Sequence, residues 1–200
     1  MRVIIIFSIL LLSGCVTIKK PPITEYKIIS STIDFKKNEA SANCRNKSLK
    51  IAQAFSPNSL MSLSMDYVEA ENRVFSYTKS QWQEDPNSAI TQELLKNIRN
   101  SALFSNVESS KSRSKSDWIL ETNIEEFVQF FSKDMKSSYV NVLITLTIVD
   151  TKTGFVVATK TFNSKIDAKT LDAEGGVEAL SNALSKVILQ NIEWLNGICG

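Results

Sequence analysis

Three stretches in the second half of the chain alternate apolar and polar positions with a period of two. Trp118, Leu120, Thr122 and Ile124 fall on one face of a strand, which Phe127 to Phe131 continues as an apolar run. Tyr139 to Asp150 sets Val142, Ile144, Leu146 and Ile148 against Leu143, Thr145, Thr147 and Val149, and apolar residues on both sides predict a central strand. Asp150-Thr151-Lys152-Thr153-Gly154 supplies turn residues, so Phe155 to Phe162 returns as the third strand of a meander.

Two other stretches change to the helical period. Asp85-Pro86-Asn87 reads as a helix start, with Asp85 as cap and Pro86 at the first position, where a missing N–H costs nothing. Ile90, Leu94, Leu95, Ile98 and Ala102 then form one stripe. A second helix, from roughly Asp172 to Leu195, aligns Val177, Leu180, Leu184, Val187, Ile188, Ile192 and Leu195. Gly175-Gly176 at its start lacks the context of a phosphate loop.

Shorter signals fill the first half. Glu25 to Ile29 and Leu49 to Ala54 read as strands separated by a polar loop carrying Cys44. Ser64 to Ala70 and Arg73 to Thr78 read as a hairpin around Glu71-Asn72, with Asn72 expected to take the left-handed conformation. Ser109 to Ser116 reads as a solvated loop. The elements together predict an α+β fold: a single two-layer domain with a mixed, mostly antiparallel sheet and two main helices packed on it.

The amino terminus is of a different kind. Arg2 precedes an apolar run from Val3 to Leu12, and small residues follow, the order of a signal peptide. The run falls short of the about 20 apolar residues that a spanning helix needs. Leu12-Ser13-Gly14-Cys15 resembles the lipobox of bacterial lipoproteins. That resemblance implies cleavage before Cys15, acylation of the new terminus and a division into a signal peptide (1–14) and a lipidated cysteine with its tether (15–23). The alternative is an ordinary secretory signal with a cysteine beside its cleavage site. The same resemblance implies, from Val16 rather than Asp after the cysteine, the periplasmic side of the outer membrane rather than the inner membrane.

The chain has 200 residues, 43% of them hydrophobic and 22% charged, with a net charge of +2, which is ordinary for one globular domain and too near balance for a nucleic-acid partner. It contains no histidine. That absence removes Ser-His-Asp and Cys-His catalysis and imidazole metal sites, and no catalytic residue, metal or cofactor is expected. Glu125-Glu126 are neighbours on a strand, expected to point to opposite faces and so not to share a proton. Once Cys15 is set aside, Cys44 and Cys199 remain, with neither redox nor metal spacing, and a disulfide between them is expected; two free thiols are the alternative.

Several residues in collinear order resemble the ABC-type transport auxiliary lipoprotein component family, which includes the lipoprotein of the paraquat-inducible operon and serves MCE-type lipid transport. They are Tyr26-Lys27-Ile28; Val74-Phe75-Ser76-Tyr77 with Trp82 and Pro86; Leu103-Phe104-Ser105-Asn106-Val107; Trp118-Ile119-Leu120; Val149-Asp150 with Gly154 and Phe162; and Trp194-Leu195. The polar insertion around Lys36 to Asn46 and the paired cysteines lie outside that pattern. The resemblance implies that residues 24–200 form the auxiliary lipoprotein domain. The implied partners are an MCE-domain protein, an inner-membrane permease and an ATPase that hydrolyses the ATP, and the implied cargo is phospholipid or other apolar molecules. Trp82, Phe127, Phe130 and Phe131 are candidate contacts for lipid or partner, weighed against the plainer reading that they are core. The competing function is an outer-membrane lipoprotein that activates cell-wall synthesis or belongs to a secretion assembly.

Overall fold

The structure is a computed structural model that describes residues 22–31 and 42–198. The signal segment, Cys15, most of the tether, part of the polar insertion and Cys199 lie outside the described residues. Eight strands form one sheet: β1 (Thr24–Tyr26), β2 (Ser48–Ile51), β3 (Ser64–Glu69), β4 (Arg73–Trp82), β5 (Asn106–Ser109), β6 (Trp118–Phe131), β7 (Ser138–Asp150) and β8 (Val156–Asp167). The helices are α1 (Ala42–Arg45), α2 (Pro86–Asn100) and α3 (Ala173–Ile198), with a 3₁₀ turn at Asn58–Met61.

The long strands behave as their alternation predicts. β6, β7 and β8 form an antiparallel meander, and α2 and α3 pack on one side of the sheet. Val140, Val142, Ile144, Leu146 and Ile148 are buried against the helices, which bury Ile90, Leu94, Ile98, Leu184, Val187, Ile188 and Ile192 in return. The opposite side of β7 carries no helix, so Leu143, Thr145 and Val149 remain half-exposed there. The apolar residues on both sides of this strand mark its central place in the meander, not a second covering layer.

The other edge of β6 is divided. Its first residues pair in parallel with β2, Leu49 beside Trp118, and its last residues pair in parallel with β3, Tyr67 beside Gln129. β5 extends the sheet beyond β2, and β4 and β1 extend it beyond β3. Between the two arms, residues 52–56 break the regular ladder and keep a single bridge, Phe55 beside Asn123. Ala52 N and Phe55 N donate to Leu120 O (3.0 Å) and Thr122 O (2.8 Å), while α2 draws the segment toward itself. Asn87 Nδ2 donates to Ala54 O (2.7 Å) and Thr91 Oγ1 accepts from Ala54 N (3.2 Å). The sheet is therefore forked, with α2 holding the segment that crosses the fork.

Several local expectations are corrected. The first strand ends at Tyr26; Ile28 and Ser30 are buried instead against the helical layer, where Glu93 accepts from Ser30 N (3.0 Å) and Oγ (2.5 Å). Cys44 sits on the short helix α1, not in a loop. In the β3–β4 turn the positive φ angles fall on Ala70 (48°) and Glu71 (75°), not on Asn72. Ser109, read as the start of a solvated loop, instead ends a strand, Asn106–Ser109, beside β2.

Candidate functional site: the cleft at the fork of the sheet

A bulge in β6 shapes the fork. The β6–β7 register shifts between Ile124 and Glu126, so the buried positions change phase from Trp118, Leu120, Thr122 and Ile124 to Phe127, Gln129 and Phe131. An inserted residue re-aims the side chains around it. Glu125 and Glu126 consequently both reach the open side of the sheet: Glu125 Oε1 accepts from Thr145 Oγ1 (2.6 Å) and Glu126 Oε2 from Asn141 Nδ2 (2.6 Å). The expectation of opposite faces fails because regular alternation stops at the bulge. Each carboxylate is held by its own β7 partner, so they do not form a proton-sharing pair.

A cleft of about 170 Å³ opens where the arms separate. Trp82 and Phe127 line it, with Leu60, Val68, Val74 and Val128 completing an apolar wall. The acidic side chains of Asp66, Glu125 and Glu126 also border it. Asp66 is fixed by the hydroxyls of Ser64 (2.8 Å) and Ser76 (2.6 Å). Phe55, Met61 and Leu63 are exposed at 67%, 58% and 44%, which extends apolar surface beside the cleft. Among the described residues no cluster of His, Cys, Asp or Glu could hold a metal ion.

The four aromatic candidates separate into different environments. Trp82 and Phe127 are both buried, their ring centroids 5.9 Å apart, and meet the cleft from the core. Phe131 is buried on the helix side against Tyr67, 5.3 Å between centroids. Phe130 points to the open side and stacks on Tyr139 at 5.1 Å. The structure brings two of the four together at the cleft. Leu60, Val68, Val74 and Asp66 were missed, because only the fork places the β3–β4 hairpin beside the β6 bulge; the one sequence signal was Leu60-Met61-Ser62-Leu63, three residues after Pro57.

The amino-terminal half of α3 rests on a buried polar cluster. Gln129 Oε1 accepts from Tyr77 Oη (2.9 Å) and its Nε2 donates to Ser138 Oγ (2.9 Å). Gly176 lies directly over this amide. Burial first, then Tyr67 and Asp172, pushes the Tyr77 phenol above its ordinary value. Asp172 caps the helix by accepting from Gly175 N (2.9 Å) and also accepts from Thr170 Oγ1 (2.7 Å). The Gly175 amide bond, then the Thr170 hydroxyl, hold the Asp172 carboxyl below the usual range. The glycine pair is thus explained by close packing at a helix start.

Cys44 is fully buried, its Sγ 3.6 Å from Leu195 O in the last turns of α3. No helix among the described residues is long and apolar enough to cross a membrane.

Comparison with known families decides the relationship. The profile of the ABC-type transport auxiliary lipoprotein component family matches residues 36–190. The chain belongs to that family. The match spans both arms of the fork except β1, the cleft and most of α3. A Xanthomonas campestris crystal structure of the DUF330 family shares the fold, with a TM-score of 0.74 at 13% identity, covering 88% of this chain and 96% of that one. A second solved structure, of an uncharacterized protein, superposes with a TM-score of 0.66 at 12% identity, over 88% of this chain and 99% of that one. Among curated proteins, none matches.

Proposed function

We propose that this family member is the acylated auxiliary subunit of an MCE-type ABC transporter, anchored through Cys15 at the periplasmic face of the outer membrane, which helps move phospholipid or other apolar molecules between membranes. Its partners are an MCE-domain protein, an inner-membrane permease and an ATPase. The observation that carries this reading is the family match over residues 36–190, together with the lipobox of residues 12–15.

The cleft supports docking over carriage of lipid. Small-molecule sites commonly enclose about 300–1,000 Å³, while the fork offers about 170 Å³, space for one apolar side chain of a partner. Its acidic border and the exposed Phe55, Met61 and Leu63 suit a protein contact with an apolar anchor and a polar rim. The subunit contributes an anchor and a docking surface, and chemistry is left to the ATPase. The burial of Cys44 and its position beside Leu195, four residues before Cys199 in the chain, support Cys199 as its partner.

The deciding experiment is affinity capture of the chain from crosslinked cells. Recovery of an MCE protein with its permease and ATPase supports the reading. Recovery of cell-wall synthases or secretion subunits, with no transporter component, overturns it.

A further inference from the structure

The end of the molecule at which β6 starts and β7 finishes carries a surface that neither the core nor the cleft uses. At the β7–β8 turn Phe155 is 75% exposed and Val156 60% exposed, and Val157 follows at 42%. Three consecutive apolar residues are thus exposed to water at one hairpin tip. Beside them lies the loop between β5 and β6, with Lys111, Arg113 and Lys115 all exposed, and Lys152 projects from the turn itself. Loop and turn are joined: Thr151 N donates to Asp117 O (2.9 Å), and Lys152 Nζ lies 3.9 Å from Asp117. Lys50 Nζ holds the loop down by donating to the carbonyls of Ser112 (3.1 Å) and Ser114 (2.5 Å).

The acidic groups here are already engaged. Asp117 accepts from Ser48 N (2.9 Å) and Oγ (2.8 Å), and Asp150 accepts from the amides of Lys152 and Thr153 (3.0 Å each). The loop and turn thus carry four exposed cations on the same end of the molecule as the apolar tip, Lys152 among them paired with Asp117, while Asp117 and Asp150 keep their charge and accept internal bonds. Along a strand of 14 residues the opposite end of β6 lies roughly 45 Å away at ~3.3 Å per residue. β1 is entered from that opposite end, because it runs parallel to β4, which descends from the β3–β4 turn.

We propose that this tip docks on an anionic phospholipid surface. Phe155 and Val156 insert at headgroup level, while Lys111, Arg113, Lys115 and Lys152 contact the phosphates. Apolar insertion combined with attraction to anionic lipid is the arrangement that binds a protein to a membrane surface without spanning it. The registers set Thr24 level with about Phe127, roughly 30 Å along β6 from the tip at ~3.3 Å per residue, so the tip contributes a membrane contact of its own, separate from the acyl anchor.

The test is flotation of residues 15–200 carrying Cys15→Ser, which lacks both the apolar signal segment and the proposed acylation site, with vesicles of phosphatidylglycerol and phosphatidylethanolamine or of phosphatidylcholine alone. The chain is expected to float with the anionic vesicles only and to be released between 0.1 and 0.5 M salt as screening shortens. Replacing Lys111, Arg113 and Lys115 together by Gln should weaken binding about a hundredfold, since each basic side chain near the surface contributes about fivefold. Phe155→Ser should weaken it about tenfold. These side chains are exposed, so thermal melts of the variants should match the parent; if a variant does unfold, the lipid and salt dependence of the parent still decides. Equal binding to neutral vesicles, or indifference to both substitutions, overturns the proposal. So does failure to float with anionic vesicles while binding polyglutamate, which would assign the tip to an acidic protein partner. This result is independent of which proteins the affinity capture recovers.

Discussion

Gly176 packs against the side-chain amide of Gln129 so closely that a Cβ at position 176 would overlap Oε1. The amide cannot swing aside at little cost, because Tyr77 and Ser138 hold its two ends. Gly176→Ala is expected to destabilise by roughly 1–3 kcal/mol through overpacking. Gln129→Ala should cost a similar amount by stranding the Tyr77 hydroxyl. The double variant should lose clearly less than the sum, since the overlap is gone. Urea unfolding of the four proteins measures the coupling; strict additivity would contradict it.

Trp82 and Val74 both line the cleft, and their substitutions should lower partner capture for different reasons. Trp82 is 4% exposed and packed on Phe127, so Trp82→Ala should cost about 3–5 kcal/mol and depress partner capture through misfolding. Val74 is 63% exposed. Val74→Glu should leave stability within about 0.5 kcal/mol yet reduce recovery of the transporter subunits, because it places a charge at the apolar wall. Normal recovery with Val74→Glu would remove the cleft from the docking surface.

The pH profile has a defined sign at each end. Asp172 titrates below its ordinary 3.8 in the fold, so its contribution is present above that value and is lost as pH falls through the folded value. The Tyr77 phenol titrates above its ordinary 10.0, so its contribution is complete below pH 10 and is lost as pH rises through the folded value. Asp172→Ala should remove about 1 kcal/mol at neutral pH through loss of the helix cap and flatten the acid limb. Tyr77→Phe should flatten the alkaline limb. Chemical denaturation at several pH values tests both.

The cysteine pairing predicts a mass two hydrogens below that of the dithiol form under non-reducing conditions, and one crosslinked peptide containing Cys44 and Cys199. Closing a loop of this length is worth up to ~5 kcal/mol, so reduction should lower the melting temperature measurably. Free thiols at both positions would refute the pairing.

Much of this architecture was legible in the chain because alternation and capping are local. Asp85 accepts from Ser88 N at 2.8 Å, as Asp-Pro-Asn before an apolar stripe predicts. The meander of β6, β7 and β8 follows from the period-two pattern on either side of a Gly-containing turn. The bulge at Glu125 was not legible, since Glu-Glu inside an alternating strand does not show which residue is inserted. Nor was the fork: alternation shows which face of Ser48–Ile51 is buried, but not that these residues run parallel to Trp118, 69 positions away from Leu49. The candidate site suffered most from this, since it is built where two distant arms meet.

The divided edge of β6 also orders the assembly of the molecule in time. The β6–β7–β8 meander with α3 closes only short loops, whereas β2 and β3 reach β6 through long parallel connections whose closure entropy must be met first. The carboxy-terminal unit should therefore gain protection early and the fork last. Pulse-labelling hydrogen exchange during refolding is expected to protect amides at Leu146 and Val187 before those at Tyr67 and Val68. The same order in reverse makes the cleft the first part of the native protein to open, so the docking surface would be the softest region of an otherwise rigid sheet.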